Sequence, residues 1–152
     1  MEHAHALHLP GRNDLLTPWS IHAEATALSA FAQYGEGDDG VELWESLAAK
    51  ARDVLDPQRP FMDYPVAGLA LVGIGVWALL KQPSRVADAV RLLVLGNRFA
   101  YPGFAPTMRW ERMRVLCDER APGLVDTLQA EYAGRRGPDL IDQARAAVEQ
   151  IL

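Results

Sequence analysis

Residues 66–80, VAGLALVGIGVWALL, form a run of fifteen residues without a charge or a strongly polar group. No other feature limits the fold as much. A membrane-spanning helix needs about 20 apolar residues, and Asp63 and Lys81 bracket the run too closely for that. The run is therefore expected to be a helix buried on all sides at the centre of a helical domain. Gly68, Gly73 and Gly75 each cost helix propensity, roughly 1 kcal/mol relative to alanine. Close approach of neighbouring backbones would account for them.

Helix breakers partition the rest of the chain: GEGDDG at 35–40, DPQRP at 56–60, KQPS at 81–84, YPGFAP at 101–106, RAPG at 120–123 and GRRGP at 134–138. The intervening segments have helical length and are rich in Ala, Leu, Glu and Arg. Isoleucine and threonine number four each, so little favours strands. Seven helices and no sheet are expected. The first starts at Thr17-Pro18, a hydroxyl cap followed by proline at the first helical position, with Trp19, Ala23, Ala27, Ala30 and Tyr34 at spacings of three and four. The second turns Val41, Leu43, Leu47, Ala51, Val54 and Leu55 inward and leaves Glu42, Glu45, Lys50 and Arg52 to water. The third opens at Asp63-Tyr64-Pro65, and the fourth follows Pro83-Ser84 with Val86, Ala89, Val90, Leu93 and Gly96 on one side. Thr107 is expected to cap the fifth, whose inner face carries Trp110, Met113, Leu116 and Cys117. The sixth is expected to begin at Pro122 and the seventh at Pro138.

Short connections set consecutive helices antiparallel. Starts at 17, 63 and 107 lie 46 and 44 residues apart, two helices to each unit. That layout predicts an all-α fold of antiparallel hairpins, an α-solenoid of tetratricopeptide-like repeats within one domain, 1–152. EHAHALHLP, with Ala4, Leu7 and Leu9, reads as the end of a further helix, which would make the chain a fragment of a longer multidomain protein.

Chemistry-bearing residues are sparse. The histidines are His3, His5, His8 and His22, so most familiar catalytic sets are missing from the last 130 residues. The H-x-H-x-x-H cluster lacks a carboxylate anchor other than Glu2, and no metal site is assigned to it. Cys117 has no histidine within 90 residues to make it a thiolate. The acidic stretch Glu36, Asp38, Asp39, Glu42, Glu45 lacks calcium-loop spacing. No Gly-rich phosphate loop, zincin helix or nucleophile elbow occurs. No cofactor and no enzymatic activity are expected. Twenty acidic against fifteen basic side chains give a net charge of -5, which speaks against direct nucleic-acid contact. The start lacks the layout of a secretory signal, and one cysteine makes no disulfide pair, so a cytoplasmic location is expected.

The densest cluster is residues 96–114, GNRFAYPGFAPTMRWERMR, where four aromatics and four arginines surround a proline-rich bend. Arginine beside aromatic rings is the usual chemistry of interface hot spots. Arg98, Tyr101, Phe104, Arg109, Trp110 and Arg112 are the candidate contact residues for a protein or peptide partner. The competing reading is that the aromatics pack a hairpin junction while the arginines are solvated or paired with Glu111, Asp118 and Glu119.

LLVLGNRFAYPGFAPTMRWERM, followed by APGLVDTLQAEYAGRRGPDLIDQARAAVEQIL, resembles the carboxyl-terminal end of actinobacterial SARP-type regulators, which carry a bacterial transcriptional activation domain, an ATPase module and a tetratricopeptide-like tail. The likeness covers about residues 92–152. It resides in Arg98, Phe99 and Tyr101, in Pro106-Thr107-Met108 with Trp110-Glu111-Arg112, and in AEYAGRRGPDLID. The winged-helix reader and Walker motifs of such regulators are absent from this chain. The resemblance implies a sensory or protein-contact region of a transcription regulator, contacting a partner or other domains of its parent. A small-molecule-binding or enzymatic helical domain, with an apolar pocket beside the third helix and Trp77 in its wall, is the alternative. Homodimerisation through the third or fourth helix is a further expectation.

Overall fold

The computed structural model describes residues 17–58 and 64–152, and among these every regular element is helical. Seven α-helices follow in order: α1 (Pro18–Tyr34), α2 (Val41–Val54), α3 (Tyr64–Lys81), α4 (Val86–Arg98), α5 (Trp110–Arg120), α6 (Leu124–Glu131) and α7 (Ile141–Ile151). Single turns of 3-10 helix at Pro83–Arg85, Pro106–Met108 and Gly137–Leu140 lead into α4, α5 and α7. The histidine cluster, the apolar residues Ala4, Leu7 and Leu9, and Asp63 lie outside the described residues.

The helix ends follow local chemistry. Thr17 Oγ1 accepts from the Ser20 amide at 3.1 Å and Pro18 opens α1, as the sequence predicts. Three predicted starts move. Thr107 does not cap α5; it sits in the 3-10 turn before it, and extended Arg109 precedes the helix. The helix α6 begins at Leu124 behind Gly123, whose φ of 83° suits glycine, rather than at Pro122. Pro138 opens a 3-10 turn whose Arg136 amide donates to Asp139 Oδ2 at 3.2 Å, and α7 itself starts at Ile141. Proline-containing 3-10 turns precede α5 and α7, and a left-handed glycine precedes α6.

The apolar run is the centre. Every residue from Val66 to Leu79 is buried, and α3 packs against α1, α2 and α4, with α5 and α7 at its margins. By length and composition alone this helix could cross a membrane, yet 78% of its 18 residues are buried within the fold. The glycines act by close approach. A Cβ on Gly68 would lie 2.9 Å from the Gly96 carbonyl oxygen of α4, and one on Gly73 would lie 2.5 Å from Leu47 Cδ2 and 3.1 Å from the Ala25 Cα of α1. Both sites let helix backbones meet where a side chain would hold them apart.

The apolar residues Ala89, Val90, Leu92, Leu93, Val94 and Leu95 of α4 are buried between α3 on one side and α6 and α7 on the other. α7 returns to α2 across 97 positions, where Arg52 Nε reaches Glu149 Oε1 at 2.7 Å, and Arg85 Nη1 donates to the Gln150 carbonyl at 2.6 Å. Neither α3 nor α4 therefore presents an apolar face for homodimerisation.

One side-chain expectation is corrected, and the inner face of α1 is settled. Lys50, expected in water, is 7% exposed, and its Nζ lies 2.6 Å from Glu24 Oε1 of α1, which also accepts from Ser46 Oγ at 2.9 Å. The stripe Trp19, Ala23, Ala27, Ala30, Tyr34 does not face the core. Ile21, Ala25, Leu28, Ser29 and Ala32 do.

Candidate interaction surface

α4 ends with Ala100 at a φ of +58°, an unusual value for a residue with a Cβ, and the chain then turns through the bend to α5. The bend separates its aromatic residues. Phe99 is buried and meets the Tyr64 ring edge-on, with centroids 6.0 Å apart at 78°. Tyr101 is buried, and its hydroxyl donates to the Met108 carbonyl at 2.5 Å, closing the bend on itself. Arg98 Nε donates to the Arg135 carbonyl at 2.9 Å, tying the end of α4 to the loop after α6. Arg98 and Tyr101 thus hold the junction together, and Tyr101 is not available to a partner.

The other candidates lie outward. Phe104 is 79% exposed, Arg109 and Arg112 are exposed, and Trp110 is half-buried against the core. Arg109 makes no ion pair among the described residues. Of the expected arginine–carboxylate pairs, Arg114 meets Asp118 at 3.6 Å and also reaches Asp126 of α6, whereas Arg112 turns to α1.

The bend is fixed to α1 by a shared acceptor. The Thr107 carbonyl receives Ser29 Oγ at 2.9 Å and Gln33 Nε2 at 2.7 Å, and Gln33 Oε1 accepts from Arg112 Nε at 3.1 Å. Ser29 is wholly buried and would be costly without a partner. The polar pair on α1 therefore sets where Arg109 and Arg112 stand.

That attachment joins the bend to the outward face of α1. Trp19 is 82% exposed and Tyr34 72%, at opposite ends of the outward face of α1, with Ala23, Ala27 and Ala30 between them. Fifteen residues of helix separate the two rings by about 22 Å along the axis. At the Tyr34 end, Ala27, Ala30, Phe31, Tyr34, Gly35 and Asp39 line a shallow hollow of about 440 Å³. A second hollow of about 510 Å³ adjoins it at Phe31 and Asp39 and runs to Asp38 and Glu42. The acidic stretch is solvated, as expected: Glu36, Asp38, Asp39, Glu42 and Glu45 are all exposed.

Catalytic chemistry is thin among the described residues. No group of three or more His, Cys, Asp or Glu side chains is placed to hold a metal ion. Burial, reinforced by the Asp118 carboxylate, pushes the Cys117 thiol up to about 12, so it stays protonated and unreactive at neutral pH. Burial likewise raises the Tyr101 phenol, with Glu111 and Cys117 adding to the effect. Trp77 is buried under Lys81, whose Nζ lies 5.9 Å from the ring centroid, and lines neither of these hollows. A cleft of about 630 Å³ opens elsewhere, between α2 and α7, around the Arg52–Glu149 pair and near Asp53, Asp56, Asp142 and Arg145.

The chain matches no protein-family model, no curated protein and no solved structure.

Proposed function

We propose that the chain is a non-catalytic helical module that binds a protein or peptide partner, or senses an effector, through the outward face of α1 and the adjoining bend. The observation that carries this reading is the solvent exposure of Trp19 and Tyr34 on a helix whose opposite face is core. Contiguous exposed apolar surface often marks an interaction site, and Trp, Tyr and Arg dominate interface hot spots. Arg112, which meets Gln33 of α1, and the neighbouring Arg109 extend the same surface, while Phe104 and Trp110 lie on the adjoining bend. Arg98 and Tyr101 support it from inside.

The resemblance of residues 92–152 to SARP-type regulators supports a place in transcription regulation, where a partner or another domain of the parent would be the ligand. DNA binding and ATP hydrolysis would lie outside this chain, in keeping with its net charge of -5. A tetratricopeptide-like stack is the finer form of the reading. The pairing of α1 with α2 and of α3 with α4 supports it, and the α2–α7 contact would close a short stack that caps itself. A cytoplasmic location goes with the free thiol of Cys117.

Photo-crosslinking tests the reading. A crosslinking residue at Ala27 is expected to trap one discrete adduct in cells, whereas the same residue at Glu119 traps none. Adducts at neither Ala27 nor Phe104 would sink the proposal. The alternative, a small-molecule or enzymatic site, predicts thermal stabilisation by a member of a panel of nucleotides, acyl compounds and metals. A reproducible shift unaffected by Trp19→Ala would favour it.

A further inference from the structure

The surface along α1 is bordered by opposite charges on its two sides, and that polarity selects a partner. Successive residues turn about 100° round a helix. Ser29 and Gln33 stand to one side of the Trp19–Tyr34 stripe, where they hold the bend and its exposed Arg109 and Arg112. Glu24 and Phe31 stand to the other side, toward α2, where Asp38, Asp39, Glu42 and Glu45 are exposed and make no ion pair among the described residues. Both charged borders lie toward the carboxyl-terminal end of α1. Arg112 meets it at Gln33, and Asp39 shares a hollow with Ala30 and Tyr34.

Resting on the interaction reading above, we infer that the partner is a second copy of this chain, docked α1 against α1 in parallel about a two-fold axis. A two-fold axis along the helices exchanges left and right borders without reversing direction. It would set Arg109 and Arg112 of each copy against Asp38, Asp39 and Glu42 of the other, twice over. The antiparallel arrangement would instead set the charged end of each α1 against the amino-terminal end of the other, where neither border meets its complement. The small residues Ala23, Ala27 and Ala30 let the helices approach, and the rings at both ends cover them.

The two rings cannot carry the pair alone. Trp19 and Tyr34 together offer roughly 300 Å², short of the about 800 Å² per partner of a stable interface. The alanines, Phe31 and both charged borders must therefore take part. Association at micromolar concentrations is the outcome expected of such a surface.

Light scattering of the 152-residue protein from low to high micromolar concentration tests this. The mass is expected to rise from 16.7 kDa toward twice that value. Ala27→Glu should hold it at the monomer with an unchanged melting curve. Arg112→Glu and Asp39→Arg should each weaken association about tenfold, and the two together should restore it. A monomer at every concentration overturns the inference, as does a dimer that persists in Ala27→Glu. A monomer that still gives a discrete Ala27 adduct with a different protein removes the second copy but leaves the interaction reading intact. A monomer with no adduct at Ala27 or Phe104 removes both.

Discussion

The helices α1 and α3 are nearly the same length, 17 and 18 residues, and both are poor in charge, yet they divide their apolar residues in opposite ways. α3 is buried without a break from Val66 to Leu79, and its glycines admit α1 and α4 to within backbone contact. α1 buries one face and shows aromatic rings on the other. The difference comes from position in the packing and not from apolar content: a helix with neighbours all round has no outside, whereas one at the edge keeps whatever its far side carries. An edge helix with tryptophan and tyrosine on that side leaves two large rings in solvent.

The contrast is most open to breakage at Gly73, where α1 and α3 meet. Gly73→Val is expected to cost about 3 kcal/mol by forcing Leu47 and the α1 backbone apart, read as a fall of roughly 6–12 °C in melting temperature. An unchanged melting curve would mean that the two helices do not touch there. Next comes the buried charge on the flank of α1. Lys50→Ala leaves Glu24 without its cation and should cost about 2 kcal/mol in urea unfolding, while Glu24→Gln with Lys50→Met should recover most of it.

The margin of α3 toward α5 is probed by alkali. The Cys117 thiol keeps its proton in the fold up to about 12, while the unfolded chain gives it up near the ordinary thiol value of 9.0. Its contribution is therefore fully present below pH 9 and is lost as pH rises between those values, because the unfolded state then binds fewer protons. The slope is at most about 1.4 kcal/mol per pH unit for each such group. Cys117→Ala should flatten that limb of the urea midpoint against pH, and the raised Tyr101 phenol should leave part of the slope in place. The smallest effect belongs to the outside of α1. Trp19→Ala and Tyr34→Ala should each change monomer stability by less than about 0.5 kcal/mol, and a loss of several kcal/mol in the monomer would show that the face is packed after all.

Much of the helical layout was legible because breakers are local. Thr17-Pro18 opens α1 by its own hydrogen bonding, and the apolar run, bracketed by Asp63 and Lys81, points to an interior helix. Helix starts near Thr107, Pro122 and Pro138 shifted by two or three residues because a 3-10 turn or a left-handed glycine comes first. The face of α1 was not legible. Ile21, Ala25, Leu28 and Ala32 recur at the same three-and-four spacing as Trp19, Ala23, Ala27, Ala30 and Tyr34, so periodicity ranks neither stripe as the inner one. Nothing local marks Lys50 as buried either; its partner Glu24 is 26 positions away. Within the bend, proline and aromatic content marked a cluster, but only packing separated buried Tyr101 from exposed Phe104.

The sequence alone determined that the chain is helical, that residues 66–80 form its centre and that catalytic groups are scarce, because period, breakers and residue chemistry act over a few neighbours. Tertiary structure decided which side of α1 meets water, where the bend is tied down and which arginines remain free. Those outcomes depend on contacts such as Ser29 and Gln33 with the Thr107 carbonyl, 78 and 74 positions apart. Such distances are crossed only when the helices pack.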